Sequence, residues 1–597
     1  MTNLKLPLLC SLFVAITACS DDQAKTPPVE TSSTETSSSV TEIVESSSVS
    51  SGSSFVYAKP TGLIANEAAV VSARIEASEV GLEILKKGGT AFDAMVAVEM
   101  ALAVAYPFAG SPGGGGFVVY RQADGSVGAL DFREKAPLAA HRDMYLDENG
   151  EVISGMSRNG ATAAGVPGTI AGIFAMHERF GTKPIAELLQ PVIDLAEKGV
   201  VVTEYQKSRL DSSRPLIAEI SGSDSKFARE YQVGEIVKRD ALAETLKKIV
   251  ANGRDEFYKG ETAKKIAQFI QEKGGYITEE DLAQYKAVWR EPVRFSYNGF
   301  DIISMSPPSS GGVTLQQILT MIEPYDVGQY DHNSLPSTQI IVEAERRAYA
   351  DRNEYLGDPD FVDIPKDKLL NPNYLKNRMA DFSFDQATKS SDISAGDINF
   401  AESMETTHYS IVDKYGNAIA ATITINGGFG SKLFSDELGF FFNNEMDDFS
   451  VKPGVPNMFG LIGNEANSIQ PGKRMLSSMT PTIVEKDGEF FMALGAPGGS
   501  TIITSVLQTF LNVTAFEMSM QEAVNAPRFH HQWLPDLVLF ENEGFSEELL
   551  EGLKAKGYQV NRGRAPVIGK VDAILRLPDG TYETGADKRG DDAAAVF

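Results

Sequence analysis

Met404-Glu405-Thr406-Thr407-His408-Tyr409-Ser410 leads into Ile411-Val412, a turn at Lys414-Tyr415-Gly416-Asn417, and a second run ending Thr422-Ile423-Thr424-Ile425-Asn426. β-Branched and aromatic residues on both sides of a glycine-containing turn predict a hairpin, His408 to Val412 paired with Ala418 to Ile425. The pattern recurs downstream. Thr480 to Val484 and Phe490 to Leu494 flank Lys486-Asp487-Gly488, and Ala573 to Leu577 and Tyr582 to Thr584 flank Pro578-Asp579-Gly580. Helices are expected between these hairpins at Ile502 to Asn512 and Ser546 to Lys556.

Upstream of Ala401 the periodicity is mostly helical. Glu76 to Lys87 places Val80, Ile84 and Leu85 on one side, and Gly88-Gly89 ends it. Thr90 to Ala105 is apolar nearly all round but short and carries Asp93 and Glu99, which predicts a buried core helix and not a membrane span. Ser111-Pro112-Gly113-Gly114-Gly115-Gly116 lies between this helix and the strand-like Phe117 to Tyr120. Phosphate loops follow a strand and open a helix, so this glycine run predicts close backbone packing and no nucleotide. Pro167 to Phe180 and Pro184 to Lys198 read as helices with proline near the first turn. Residues 200–400 read as predominantly helical scaffold, with Asp240 to Asn252, Glu261 to Lys273 and Ser337 to Asn353 as helices and no chemical motif. Helices first and strands later predict an α+β body, with sheets inside and helices outside.

The chain begins differently. Met1 to Ala18 holds one positive residue, Lys5, and an apolar run from Leu8 to Ile16, the layout of an export signal. Ile16-Thr17-Ala18-Cys19 resembles a lipobox, which implies lipidation at Cys19 in place of simple cleavage nearby. Cys10 and Cys19 are the two cysteines, so removal of one and acylation of the other leave no disulfide. Residues 19–54, rich in Ser, Thr and Glu, bury too little to order themselves and read as a tether. At 597 residues, more than one structural unit is expected. A net charge of -27 excludes a basic nucleic-acid-binding face.

None of the six histidines sits in a metal-ligand spacing, and His530-His531 reads as a packed loop. No Gly-x-Ser-x-Gly elbow is present. Five motifs then resemble one family in order and spacing. They are Thr406-Thr407-His408-Tyr409-Ser410, Asn443-Asn444-Glu445-Met446-Asp447-Asp448-Phe449-Ser450, Leu476-Ser477-Ser478-Met479-Thr480-Pro481-Thr482, Gly495-Ala496-Pro497-Gly498-Gly499-Ser500 and Asn525-Ala526-Pro527-Arg528. Together they look like the γ-glutamyltransferases, from about Gly62 to the C-terminus.

The resemblance implies an Ntn-hydrolase αββα four-layer sandwich, cut autocatalytically at Glu405-Thr406 into a large subunit, residues 55–405, and a small subunit, residues 406–597, that form a heterodimer. The cut has a physical purpose. A threonine hydroxyl is a weak nucleophile until an adjacent base takes its proton, and a freed α-amine titrates at about 7.7 to 8.0, where a peptide nitrogen has no basicity. A small fragment beginning at Thr407 would move the nucleophile by one residue.

By the same resemblance Thr424 hydrogen-bonds Thr406. Arg133, with Ser477 and Ser478, takes a substrate α-carboxylate, while Asn426, Glu445 and Asp448 hold its α-ammonium. The Gly498 and Gly499 N–H groups form the oxyanion hole. Glu445 stands where bacterial relatives often have glutamine. Phe459 stands where many have a lid tyrosine, so a looser lid is expected. The implied activity is γ-glutamyl transfer and glutathione hydrolysis, with glutathione, other γ-glutamyl compounds and acceptor amino acids or peptides as substrates and no cofactor. An exported, lipid-anchored enzyme follows, with the outer membrane favoured by Ser20. The alternatives are a cephalosporin or glutaryl acylase on the same scaffold, or an uncleaved surface lipoprotein without activity.

Overall fold

The computed structural model describes residues 55–393, 406–565 and 567–597. The signal, the lipobox Cys19, the tether and Glu405 lie outside the described residues.

Two seven-stranded antiparallel sheets form the centre. Their strands are β1 (Ile64–Ala65), β2 (Ala69–Ser72), β3 (Gly115–Arg121), β4 (Val127–Asp131), β5 (Val288–Arg290), β6 (Val293–Tyr297), β7 (Phe300–Ser304), β8 (Thr407–Val412), β9 (Ala418–Thr424), β10 (Thr482–Lys486), β11 (Glu489–Gly495), β12 (Asp572–Arg576), β13 (Tyr582–Ala586) and β14 (Ala593–Val596). One sheet runs β1-β13-β12-β11-β10-β7-β6, and the other β14-β2-β8-β9-β3-β4-β5. The hairpin read from the sequence is β8–β9, with Thr407 opposite Ile423 and Val412 opposite Ala418. It is the middle of its sheet, flanked by β2 and β3.

Every residue of β8 is buried, and side-chain direction follows the strand period of two. From β8, Tyr409 and Ile411 join an apolar cluster with helices α1 (Ile75–Lys86) and α2 (Ala91–Ala105). His408 and Ser410 face the other way, into the second sheet. The Ser410 hydroxyl donates to the Asp572 carbonyl at 3.0 Å, and a Cβ on Gly495 would stand 2.3 Å from the His408 ring. Helices α3 (Leu335–Tyr355) and α4 (Ile502–Thr514) pack with β7, β10 and β11 in the cluster on the far side. The layers are therefore helix, sheet, sheet, helix.

Helix α2 is buried at every position, as its composition predicts. Its two acids are accounted for locally. Asp93 completes a capping box with Thr90, and Glu99 accepts from the Tyr409 hydroxyl at 2.8 Å. The close packing expected of the glycine run is found: a Cβ on Gly113, Gly114 or Gly115 would meet a backbone carbonyl oxygen at 2.3, 2.2 and 2.5 Å. Among the described residues no helix is long and apolar enough to cross a membrane.

The reading of residues 200–400 as helical scaffold needs correction. Strands β5, β6 and β7 come from this stretch and occupy the ends of both sheets. Each is only three to five residues long, and β6 alternates buried and exposed positions, so each gives a weak pattern on its own. The division of helices first and strands later fails for the same reason. Both sheets draw on residues before and after position 405.

Candidate active site

Thr406 immediately precedes β8 and, by the register, lies directly across from Thr424, the last residue of β9. Antiparallel partners at such a position stand within side-chain reach. Thr406 shares its strand face with His408 and Ser410, so it faces the other sheet. Both threonines line one cavity, together with Arg133, Arg352, Asn426, Asp448, Phe459, Ser477, Ser478 and Gly499. Thr407 does not line it. That residue is fully buried, and its hydroxyl has no partner among the described residues.

Asn426 is held in a left-handed conformation, φ 66°, just past the end of β9. Its N–H donates to the Thr424 hydroxyl at 2.7 Å, and its side-chain NH₂ donates to the Asn444 carbonyl at 3.1 Å. The amide oxygen is left as the end that can accept from a ligand.

Arg133 is 1% exposed and makes ion pairs with Glu445 at 2.7 Å and Asp448 at 2.5 Å. Glu134 stands 3.7 Å from the same guanidinium, with no hydrogen-bond partner on either oxygen among the described residues. Burial raises all three acids, Glu134 to about 8, Asp448 to about 6, and Glu445 well above the usual range, while Arg133 pulls each back toward ionisation. The sequence reading kept carboxylate-binding Arg133 apart from ammonium-binding Glu445 and Asp448. The structure joins them, because a buried guanidinium and buried carboxylates are each costly alone.

Ser477 and Ser478 are held by residues from earlier in the chain, Ser310 and Arg352. The Ser310 N–H and hydroxyl both donate to the Ser477 carbonyl, at 2.8 and 2.7 Å, and Arg352 donates to the Ser478 hydroxyl at 3.0 Å. Gly498 (φ 136°) and Gly499 (φ 55°) turn the chain from β11 into α4. Left-handed backbone of this kind suits glycine and points successive amides one way. A Cβ on Gly499 would stand 2.4 Å from the Phe459 ring.

Phe459 is 4% exposed and covers that glycine. Its segment is fastened without a hydroxyl. Asn457 donates to Asp448 at 3.2 Å, the Met458 N–H to Asp447 at 2.8 Å, and the Gln532 side chain to the Phe459 carbonyl at 3.3 Å. His530 and His531 are buried away from the cavity lining, against Thr504 and Asp536 respectively; the packing is as expected, but His530 belongs to a short strand, Phe529–His530, and not to a loop.

Sequence reading missed Arg352, Asn457 and Glu134. Arg352 lies on α3, expected as a scaffold helix without a chemical motif, yet every residue from Ser337 to Asn353 is buried. The signal was present in Glu343-Ala344-Glu345-Arg346-Arg347-Ala348-Tyr349-Ala350-Asp351-Arg352, where charges of both signs fall on all faces of the helix. Such a helix in a core must be laced with ion pairs, and Arg347–Glu343 at 2.5 Å is one of them.

Two facing sheets between helical layers, with a threonine opening a central strand at the cavity wall, define the class: an αββα fold of the N-terminal-nucleophile hydrolase type. The same fold is seen in the cephalosporin acylase from Bacillus halodurans, with a TM-score of 0.79 over 91% of this chain and 98% of that chain at 23% identity. The crystal structure of Helicobacter pylori gamma-glutamyltranspeptidase matches with a TM-score of 0.53 at 43% identity, covering 57% of this chain and 97% of that chain. The glutathione hydrolase proenzyme of Escherichia coli (strain K12) is 46% identical over 538 residues, 89% of this chain and 92% of that protein. The family model of gamma-glutamyltranspeptidase matches residues 77–597, and the chain belongs to that family.

Proposed function

We propose that the chain is a self-processing γ-glutamyltransferase and glutathione hydrolase, cut at Glu405-Thr406 into a large subunit of residues 55–405 and a small subunit of residues 406–597. The observation that carries this reading is one cavity holding Thr406, its cross-strand partner Thr424, and charged groups of both signs suited to a free amino acid end. The new α-amine of Thr406 takes the proton from its own hydroxyl, and the oxygen attacks the γ-carbonyl. The Gly498 and Gly499 N–H groups hold the oxyanion, a role in which a single donor is worth about 2.7 to 4 kcal/mol. As the carbonyl re-forms, the amine of the leaving group, cysteinylglycine for glutathione, departs with that proton. Water or an acceptor amine then opens the γ-glutamyl ester. Glu445, Asp448 and Asn426 hold the substrate ammonium, and Arg133, Ser477 and Ser478 its carboxylate.

On a denaturing gel the protein runs as two fragments, and N-terminal sequencing of the smaller reads Thr406 first. A start at Thr407 would reassign the nucleophile. Thr406→Ala gives a single band and loses activity by at least about a thousandfold. Turnover of a γ-glutamyl anilide exceeds that of the glutaryl anilide, which has no ammonium for Asp448 and Glu445. The opposite preference identifies an acylase.

The proposal extends to location: residues 1–18 are removed, Cys19 carries lipid, residues 19–54 form the tether, and the enzyme acts at the periplasmic face of a bacterial membrane, the outer one favoured. Ile16-Thr17-Ala18-Cys19 and the composition after it support this. Cys19→Ala moves the activity from the membrane fraction to the soluble one. Phenylalanine at 459 is proposed to let the lid open more readily than a tyrosine latch, which hydrogen exchange over residues 455–462 in the wild type and Phe459→Tyr measures.

A further inference from the structure

Two guanidiniums line the cavity, and they are in opposite electrostatic states. Arg133 is surrounded by acid, with Glu445 at 2.7 Å, Asp448 at 2.5 Å and Glu134 at 3.7 Å. There the guanidinium's charge is already met by Glu445 and Asp448, whose oxygens can also accept from an ammonium. Arg352 is 3% exposed and gives its hydrogen bonds to neutral oxygens: Nε to the Ser310 hydroxyl at 3.0 Å, Nη1 to the Asn353 side-chain carbonyl at 2.9 Å, and Nη2 to the Ser478 hydroxyl at 3.0 Å. Burial lowers its pKa to about 10, which still leaves it a cation at neutral pH. Asp448 acts on it through space but makes no ion pair with it among the described residues, so this buried cation, hydrogen-bonded only to neutral acceptors, is an incomplete pair that a ligand carboxylate completes.

The bonds also have a direction. A hydroxyl that accepts from a guanidinium has its own proton left to give. Ser478 therefore offers an O–H, polarised by Arg352, to whatever enters the cavity. Through Ser310, whose hydroxyl donates to the Ser477 carbonyl at 2.7 Å, the same arginine fixes the neighbouring serine. The acid corner and the arginine–serine wall make a polarised cavity.

We propose that Arg352 is the positioning residue for the substrate's α-carboxylate, acting through Ser478 and supplying the net positive charge that acid-bound Arg133 does not. The inference rests on the γ-glutamyl reading above.

Steady-state kinetics on a γ-glutamyl anilide and on its α-carboxamide analogue test it, using the processed full-length enzyme. In Arg352→Met, KM for the carboxylate substrate rises about ten- to hundredfold, as expected for loss of a charge-assisted hydrogen bond, while kcat changes by less than about threefold. The preference for carboxylate over carboxamide falls by the same factor. Because the arginine acts through the serine, Arg352→Met combined with Ser478→Ala loses no more preference than the worse single variant. If Arg352→Met is not processed, Arg352→Lys takes its place in the cycle, since a point charge on a shorter reach cannot reproduce the fork. Unchanged preference in the arginine variant, or strictly additive losses, overturns the proposal. A wild type inactive on the γ-glutamyl anilide instead overturns the functional reading on which it rests.

Discussion

Asp448 joins the acid corner to the lid, accepting from Arg133 at 2.5 Å and from Asn457 at 3.2 Å. Burial raises its pKa to about 6, with Arg133 opposing the shift. Below that pH it gains a proton and loses its attraction for an ammonium, so KM for a γ-glutamyl substrate climbs as pH falls through 6, by up to about tenfold per unit. Asp448→Asn, already neutral, has a high KM without that dependence, and a KM profile from pH 5 to 8 compares the two. Gly499 makes a steric prediction. Any side chain there is strained at φ 55° and collides with the Phe459 ring. Gly499→Ala lowers kcat by about a hundredfold or more through a misaimed oxyanion donor, with the circular dichroism of the folded protein retained. The family motifs made Thr406, Asp448 and Gly499 legible as residues. Their partners were not legible, because the bonds to Arg133 and the Phe459 ring join positions hundreds or tens of residues apart.

At the scale of elements, α2 and β8 are tied by Tyr409 and Glu99. Burial raises Glu99 to about 8 from 4.5, against the lowering effect of the Tyr409 hydroxyl. A raised acid keeps its proton in the folded state while the unfolded chain releases it, so this group's contribution to stability is full below pH 4.5 and is lost as pH rises toward 8. Glu99→Gln keeps an oxygen for Tyr409 but has no proton to lose. Its stability relative to wild type therefore improves from pH 4.5 to 8 by at most about 1.4 kcal/mol per unit and is flat outside that range, which urea unfolding at several pH values measures. The apolar run of α2 announced burial, and its capping box was written in Thr90 and Asp93. The hydrophobic pattern of α3 was faint, since a helix buried by ion pairs carries charge on every face.

The whole molecule is interleaved. Strand β8 follows the proposed cut, but it lies between β2 from before position 405 and β9 from after it, and β14 closes the same sheet against β2. Neither part can keep its sheets without the other, as each would expose unpaired strand edges. The two fragments of the processed protein therefore elute together in gel filtration at neutral pH and separate only in denaturant. Elution of the small fragment alone under native conditions would contradict this arrangement.

The sequence by itself determined the elements with strong local periods, the hairpin after Thr406, the buried helix α2, the glycine run, and the motifs that mark the family. Those are decided by neighbours within a few residues, where side-chain period and turn chemistry act. The tertiary structure alone decided which sheet each strand joins, that Arg133 meets Glu445 and Asp448, and that Arg352 stands beside Ser478. These depend on contacts between distant parts of the chain, and on the energy of burying charges that only the assembled layers bring together.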